Sequence, residues 1–356
     1  MRIFTIYFLL SFFVFVFSQE SSQVLEKREI VTERHDNGLK KLVLVFEGSG
    51  LSEVLIGKYG FYENGLKSFI ELYEKNQLHG EFISWNKAGI EAIRGNHNNG
   101  KMDGVWIYNY EDGTRMAKGS FNNGSGEKLD NNYYRYTVDY LLYKDNQYIP
   151  IKGRDGLWEF WSENGNNFSK ISYKNGKRDG PANFWYEDGK KEIEAFYKDG
   201  MMDGTWIFYY KNGKKKIKGS YSSGNGEDLV ADPWNLPMNG KDSIWVFWME
   251  NGKEKYYRSF KEGKLNGKYR DWYDNGKKEL ETFYINDTLN GSYTTWYDNG
   301  EKKEERIYNN QKLNGLSTKW YENGKKKEVI TYINNKENGL VTSWYENGRK
   351  EAEGTL

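Results

Sequence analysis

The sequence predicts an all-β chain: tandem β-hairpins with a 24-residue period, laid side by side in one elongated, twisted, single-layer antiparallel sheet. Three observations carry this. Glycines recur every 24 residues at Gly252, Gly276, Gly300, Gly324 and Gly348, and with the same spacing at Gly65, Gly89, Gly113 and at Gly165, Gly189, Gly213. A fixed period of this length marks a repeat architecture. All but Gly89 follow Asn or Asp, between short runs of aromatic and β-branched residues, which is the strongest short-range hairpin signal. Phe, Trp and Tyr make up 17% of the chain against only 4 prolines, and the repeats show no helical periodicity. Flat rings on a pleated surface therefore have to supply most of the buried area.

The N-terminus is different in kind. Arg2 precedes an apolar run from Ile3 to Phe17, and Ser18 opens a polar stretch, Gln19-Glu20-Ser21-Ser22. This pattern predicts a secretory signal peptide over 1–18, cleaved after Ser18. The run is shorter than the roughly 20 residues that span a bilayer. No other segment is apolar enough to cross one. The expected location is exported: periplasm, cell surface or secreted. Residues 19–50 read as a lead-in and a degenerate first hairpin at Asp36-Asn37-Gly38.

Three repeat blocks follow, at 51–129, 153–229 and 242–356, separated by insertions at 130–152 and 230–241. The first two blocks are a duplication. Lys118 to Leu129 matches Lys218 to Leu229 at an offset of 100, and the three glycine anchors carry the same offset. The first insertion, with Tyr133 to Tyr143, reads as an aberrant hairpin. The second holds Pro233 and Pro237 and reads as a loop.

Treating Asn275-Gly276 as a two-residue type I′ loop fixes a register. Asp274 then faces Lys277, with Glu322–Lys325 and Glu187–Lys190 as parallels and Asp298–Glu301 as a failure. Further out, an aromatic faces a glycine: Gly267 with Tyr284, Gly291 with Tyr308, Gly315 with Tyr332, Gly180 with Tyr197, and Gly204 with Tyr221. Phe82–Gly95, Trp106–Gly119 and Trp206–Gly219 form a second set. The expected role of the rings is to cover the glycines. A looser turn, such as Asn309 to Gly315, leads into the next unit.

Strand alternation separates two faces. The expected core face carries Tyr269, Tyr273, Leu280 and Tyr284, and earlier Trp206, Phe208 and Tyr210. The other face is charged, with one persistent ring per unit: Trp161, Trp185, Trp248, Trp272, Trp296, Trp320 and Trp344. Successive rings are expected about 9.6 Å apart.

The run Trp272-Tyr273-Asp274-Asn275-Gly276-Lys277-Lys278, its copies ending at Gly300, Gly324 and Gly348, and the following Tyr-x-Asn-x-x-Leu-Asn-Gly resemble MORN-type repeats. The closest likeness is to the variant found in bacterial YwqK-like antitoxins, and it extends over roughly 51–356. The resemblance implies a MORN-like solenoid that works as a binding scaffold without catalysis. It also implies, for the antitoxin variant, neutralisation of a partner toxin.

Composition narrows the function. Lys+Arg at 52 balances Asp+Glu at 51, so no field points to nucleic acid. There is no cysteine, which removes disulfides and thiol chemistry. No cofactor is expected. The Trp row is the candidate site: a track that grips a protein partner or stacks on envelope glycan. The competing reading is ordinary packing under long lysine side chains. His35, His79 and His97 lie in different units, His97 at an aromatic position, and form no metal or catalytic group. The glycine corners at Gly124–Glu127 and Gly224–Asp228 precede no helix and read as structural loops. Lysine runs at Lys214–Lys216 and Lys325–Lys327 read as a solvated strand face. Open sheet edges leave edge-to-edge self-association as a further expectation.

Overall fold

The computed structural model describes residues 26–125, 149–225 and 236–355. The signal-peptide region and most of both insertions lie outside them, as does the hairpin expected at Tyr133 to Tyr143. The described residues form one 26-stranded sheet. The strands follow one another antiparallel in sequence order, with Thr288–Leu289 and Gly291–Trp296, and Lys312–Leu313 and Gly315–Trp320, each acting as one interrupted strand, so the sheet is a continuous meander from Lys27–Arg34 to Lys350–Thr355. Both outermost strands are rich in charge (KREIVTER and KEAEGT), a composition that disfavours pairing with another edge.

The turns are assigned in reverse of the sequence expectation. The 24-residue glycine closes a three-residue loop. Tyr273 N–H donates to Lys277 O at 2.9 Å, and Gly276 N–H donates to Tyr273 O at 2.8 Å. Only the glycine takes a positive φ, 88° at Gly276. This is a type I turn closed by a left-handed glycine. Asp274 therefore sits in the loop and does not face Lys277. Its carboxylate instead receives Lys255 Nζ from the preceding unit at 2.8 Å. The type I′ loops are the linkers, where both central residues take positive φ: Asn286 47° and Asp287 62°, Asn310 50° and Gln311 64°.

The outer register nevertheless holds. Trp272 pairs with Lys278 and Asp271 with Leu280, which leaves Glu279 as a one-residue bulge. The extra loop residue and the bulge cancel, so Gly267 meets Tyr284 as expected. The equivalent pairs also form: Gly291–Tyr308, Gly315–Tyr332, Gly180–Tyr197, Gly204–Tyr221, Phe82–Gly95, Trp106–Gly119 and Trp206–Gly219.

The glycines have two causes, and cover by the ring paired with them in the same hairpin is neither. Gly267, at φ 114°, is required by backbone conformation. Gly95, Gly119 and Gly219 have no such φ. A Cβ on them would lie 2.1, 2.1 and 2.0 Å from Trp106, Trp158 and Trp245 of the following strand. An indole lies flat on each of these glycines, and nothing larger fits beneath it.

The core occupies one face between Met102 and Phe260. Trp106, Trp158, Trp206 and Trp245 are each at most 3% exposed and alternate edge-on with Phe121, Tyr197 and Tyr221. The duplicated blocks repeat each other's irregularities, with register shifts at the same places in both hairpins. The insertions leave after Gly124 and Gly224 and return at Gly153 and Gly240. Asn122 N–H donates to Gly153 O at 2.8 Å and Ser222 N–H to Gly240 O at 2.7 Å, closing both necks. Ile149, Leu236 and Met238, which flank the insertions, pack on the core. Of the expected core residues, Trp206, Tyr269, Leu280 and Tyr284 share this face. Tyr210 and Tyr273 lie half-buried along the turn edge and reach into the next unit.

Candidate partner-binding face

The motif Trp-Tyr-x-Asn-Gly-Lys is a device for joining neighbouring units. Within a turn, Lys277 N–H donates to Asn275 Oδ1 at 2.8 Å, an Asx turn that shapes the loop. Across units, Asn275 Nδ2 donates to Asp298 O at 2.7 Å, and Asn299 and Asn323 repeat this with Glu322 and Glu346. Lys253 and Lys325 Nζ donate to Asn275 O and Asn347 O of the next turn, both at 2.8 Å. The tyrosine hydroxyls form a ladder. Tyr273, Tyr297 and Tyr321 donate to the carbonyls of Trp296, Trp320 and Trp344, each at 2.8 Å. Tyr62, Tyr110, Tyr186 and Tyr210 do the same to Trp85, Trp161, Tyr209 and Trp248. A hydrogen bond of this kind is worth about 1 kcal/mol.

The lysine runs belong to the same scheme. Lys214 reaches Asn251 O, while Lys216, Lys303 and Lys327 lie over Tyr210, Tyr297 and Tyr321 at 5.4–5.7 Å. These are structural contacts of the strand face.

All seven row tryptophans, Trp161, Trp185, Trp248, Trp272, Trp296, Trp320 and Trp344, fall on the face opposite the core, and all are half-buried. The ammonium of Lys278 lies 5.3 Å from the ring centre of Trp296, and that of Lys302 lies 5.6 Å from Trp320. These are cation–π distances. Beside the row runs a stripe of ion pairs, Arg270–Glu281 at 2.6 Å, Lys278–Glu281 at 3.0 Å and Lys302–Glu305 at 3.1 Å.

Beyond that stripe lies a row that sequence reading missed. Leu157, Ile244, Leu316 and Leu340 are 49–54% exposed, more open than the tryptophans. Phe283 and Ile307, at 40% and 44%, join them from the intervening strands. The signal was present: each of the first four stands four residues before a row tryptophan, on the same side of its strand. A single apolar residue among charges does not stand out in a linear reading. Only the stacking of strands turns it into a stripe.

Three units break the tyrosine ladder, at Asn86, Ser162 and Met249. Ser162 occupies the position held elsewhere by Tyr186 or Tyr273, and its hydroxyl turns back to Asn164 Oδ1 at 2.6 Å. A recess of about 700 Å³ opens there, lined by Phe168, Phe184, Trp185 and Tyr186 with Glu187, Asp188, Glu192 and Lys211 among its polar residues. Burial holds the Glu192 carboxyl above the ordinary carboxylate value.

The histidines stay apart. His97 packs edge-on against Trp106 at 5.1 Å, and burial lowers its pKa. Among the described residues no three His, Asp or Glu side chains gather to hold a metal ion, and no helix is long and apolar enough to cross a membrane.

Seven segments match the MORN repeat variant: residues 102–123, 154–175, 178–199, 202–223, 265–286, 289–310 and 313–334. Each spans one hairpin. Repeats of this type stand here in an open, twisted sheet of tandem hairpins that presents an extended β-surface. No curated protein matches the chain. Among solved structures, the crystal structure of TcdB2-TccC3 is similar over 89% of this chain and 17% of that one, at 9% identity and a TM-score of 0.15. That of TcdB2-TccC3-Cdc42 has the same coverage and identity at a TM-score of 0.12. The chain thus spans about a sixth of the chains it matches.

Proposed function

We propose that this protein binds a protein partner through the face opposite its aromatic core, with the exposed aliphatic row as anchor and the tryptophan row as its border. The single observation that carries this reading is the row itself. Apolar side chains about half exposed, recurring along the sheet beside a charged stripe, form a surface that another protein can desolvate. The glycan reading is less well supported, because sugar stacking needs an open ring face and lysines lie over Trp296 and Trp320. Within the protein-partner class, an antitoxin or immunity role requires the partner to be a toxin. The signal-peptide pattern at 1–18 supports a location of such a pair outside the cytoplasm.

The test is a pull-down from the secreted and envelope fractions with wild type and with the double variant Leu316→Asp, Leu340→Asp. Wild type returns one stoichiometric protein and the variant loses it, with a thermal midpoint unchanged because both sites are exposed. Retention by the variant, or tryptophan fluorescence that responds only to envelope polysaccharide, overturns the proposal.

A further inference from the structure

The recess at Ser162 is a vacancy of known shape. In seven units, though not at Asn86 or Met249, a tyrosine at this position lies against the next strand end and gives its hydroxyl to a carbonyl there, as Tyr297 does to Trp320 at 2.8 Å. By repeat position, the carbonyl facing the Ser162 vacancy is that of Trp185. Ser162 is too short to reach it and spends its hydroxyl on its own turn. A second feature accompanies the first. Six residues after the tyrosine, three units place a lysine over its ring (Lys216 over Tyr210, Lys303 over Tyr297, Lys327 over Tyr321), while the others carry Ser68, Met116, Glu192 or Glu279. Here that position is Phe168, and its ring lines the empty space. One residue leaves out the phenol, and the other sets an aromatic wall beside the space.

We propose that this recess is a binding site for a phenol ring, filled by a tyrosyl side chain of a protein partner. The ring packs between Phe168 and Trp185, and its hydroxyl donates to the Trp185 carbonyl, reproducing in trans the contact that seven units make in cis. The inference rests on the protein-partner reading only for the source of the phenol. The recess lies along the turn edge, and the aliphatic row lies across the charged stripe from the tryptophans. Occupancy here and capture by the row are therefore separable.

The experiment titrates p-cresol, toluene and N-acetyltyrosinamide into the full chain, followed by ligand-observed NMR. Wild type binds p-cresol, and toluene binds about fivefold more weakly for want of one hydrogen bond. Ser162→Tyr fills the recess from within, weakens p-cresol binding more than tenfold and raises the thermal midpoint. Ser162→Ala leaves the space open and keeps binding within twofold. N-acetyltyrosinamide competes with p-cresol for the site. Equal binding by wild type and Ser162→Tyr, or no binding by wild type, overturns the site. Binding of p-cresol without competition by N-acetyltyrosinamide overturns the tyrosyl occupant. The aliphatic-row variant Leu316→Asp, Leu340→Asp keeps p-cresol binding, so failure of the broader reading shows up separately.

Discussion

Residues 102–260 and 264–355 have the same hairpin, turns and register, yet fill the inner face differently. In the first region an indole lies on a glycine: Trp158 on Gly119 and Trp245 on Gly219, both indoles fully buried. Buried cations there are held by rings. Arg154, 5% exposed, stacks 4.5 Å from Trp158 and donates to the carbonyls of Pro150 and Ile149 and to the Tyr173 hydroxyl. Lys241 lies 4.9 Å from Trp245. In the second region tyrosines and ion pairs take over. Tyr269 faces Thr282, Tyr293 faces Arg306, and Ser317 faces Ile330. At the boundary, Arg258 from the end of the first region sits 3.4 Å over Tyr269 and 2.5 Å from Asp271, and within the second region Lys319 pairs with Glu328 at 2.7 Å. Arg258 also donates to the Tyr257 and Arg270 carbonyls.

This difference teaches that the fold is held by its edges. The Asx turns, the tyrosine ladder and the linker turns persist where the core composition does not. What changes is the energy of each unit. Burying apolar area stabilises by about 25 cal/mol per Å². A buried ion pair does little better than a hydrophobic pair of the same volume. In a nearest-neighbour array, the weaker region is expected to open first. Hydrogen exchange should therefore protect amides of 154–221 more strongly than those of 289–333, and the reverse order would break the comparison.

The largest expected effect is Trp158→Ala, which leaves a cavity over Gly119 and costs about 3–5 kcal/mol. Tyr293→Ala, in the polar region, should cost less than half as much. Urea denaturation of the two variants measures the gap, and equal losses would mean the two inner faces are equally packed. Next, Arg258→Met leaves Asp271 buried without its cation, at a cost of about 2–3 kcal/mol, whereas the double variant Arg258→Met, Asp271→Leu should return close to wild type. A double-mutant cycle reads this directly.

A pH test sharpens the same pair. Asp271 is pushed above the ordinary carboxylate value, first by burial, with Arg258 opposing. The folded chain then holds that proton more tightly than the unfolded chain. Its contribution to stability is greatest below the ordinary carboxylate pKa and is lost as pH rises through the raised value. Asp271→Asn should remove this downward step from the pH–stability curve, measured against wild type. The smallest effect is Tyr297→Phe, which keeps the ring and loses only the bond to Trp320 O. About 1 kcal/mol is expected, and Tyr186→Phe in the apolar region should match it if the ladder acts alike in both.

Much of this was legible in the linear chain, because a period of 24 residues and Asn-Gly turns flanked by rings leave little choice but stacked hairpins. The register of Gly267 with Tyr284 was readable despite a wrong turn type, since the third loop residue and the bulge at Glu279 offset each other. The tryptophan row and its face were readable from alternation alone. Other features depended on contacts between units, which no single repeat displays. The indole that makes Gly119 obligatory comes from the next hairpin, across an insertion. The aliphatic row exists only when strands stand side by side. The recess at Ser162 is visible only against the place that neighbouring tyrosines fill. The sequence by itself determined the repeating unit, because turn chemistry and alternation are local. Tertiary structure alone decided which side chains are covered and which are left open, because burial depends on what the adjacent unit brings.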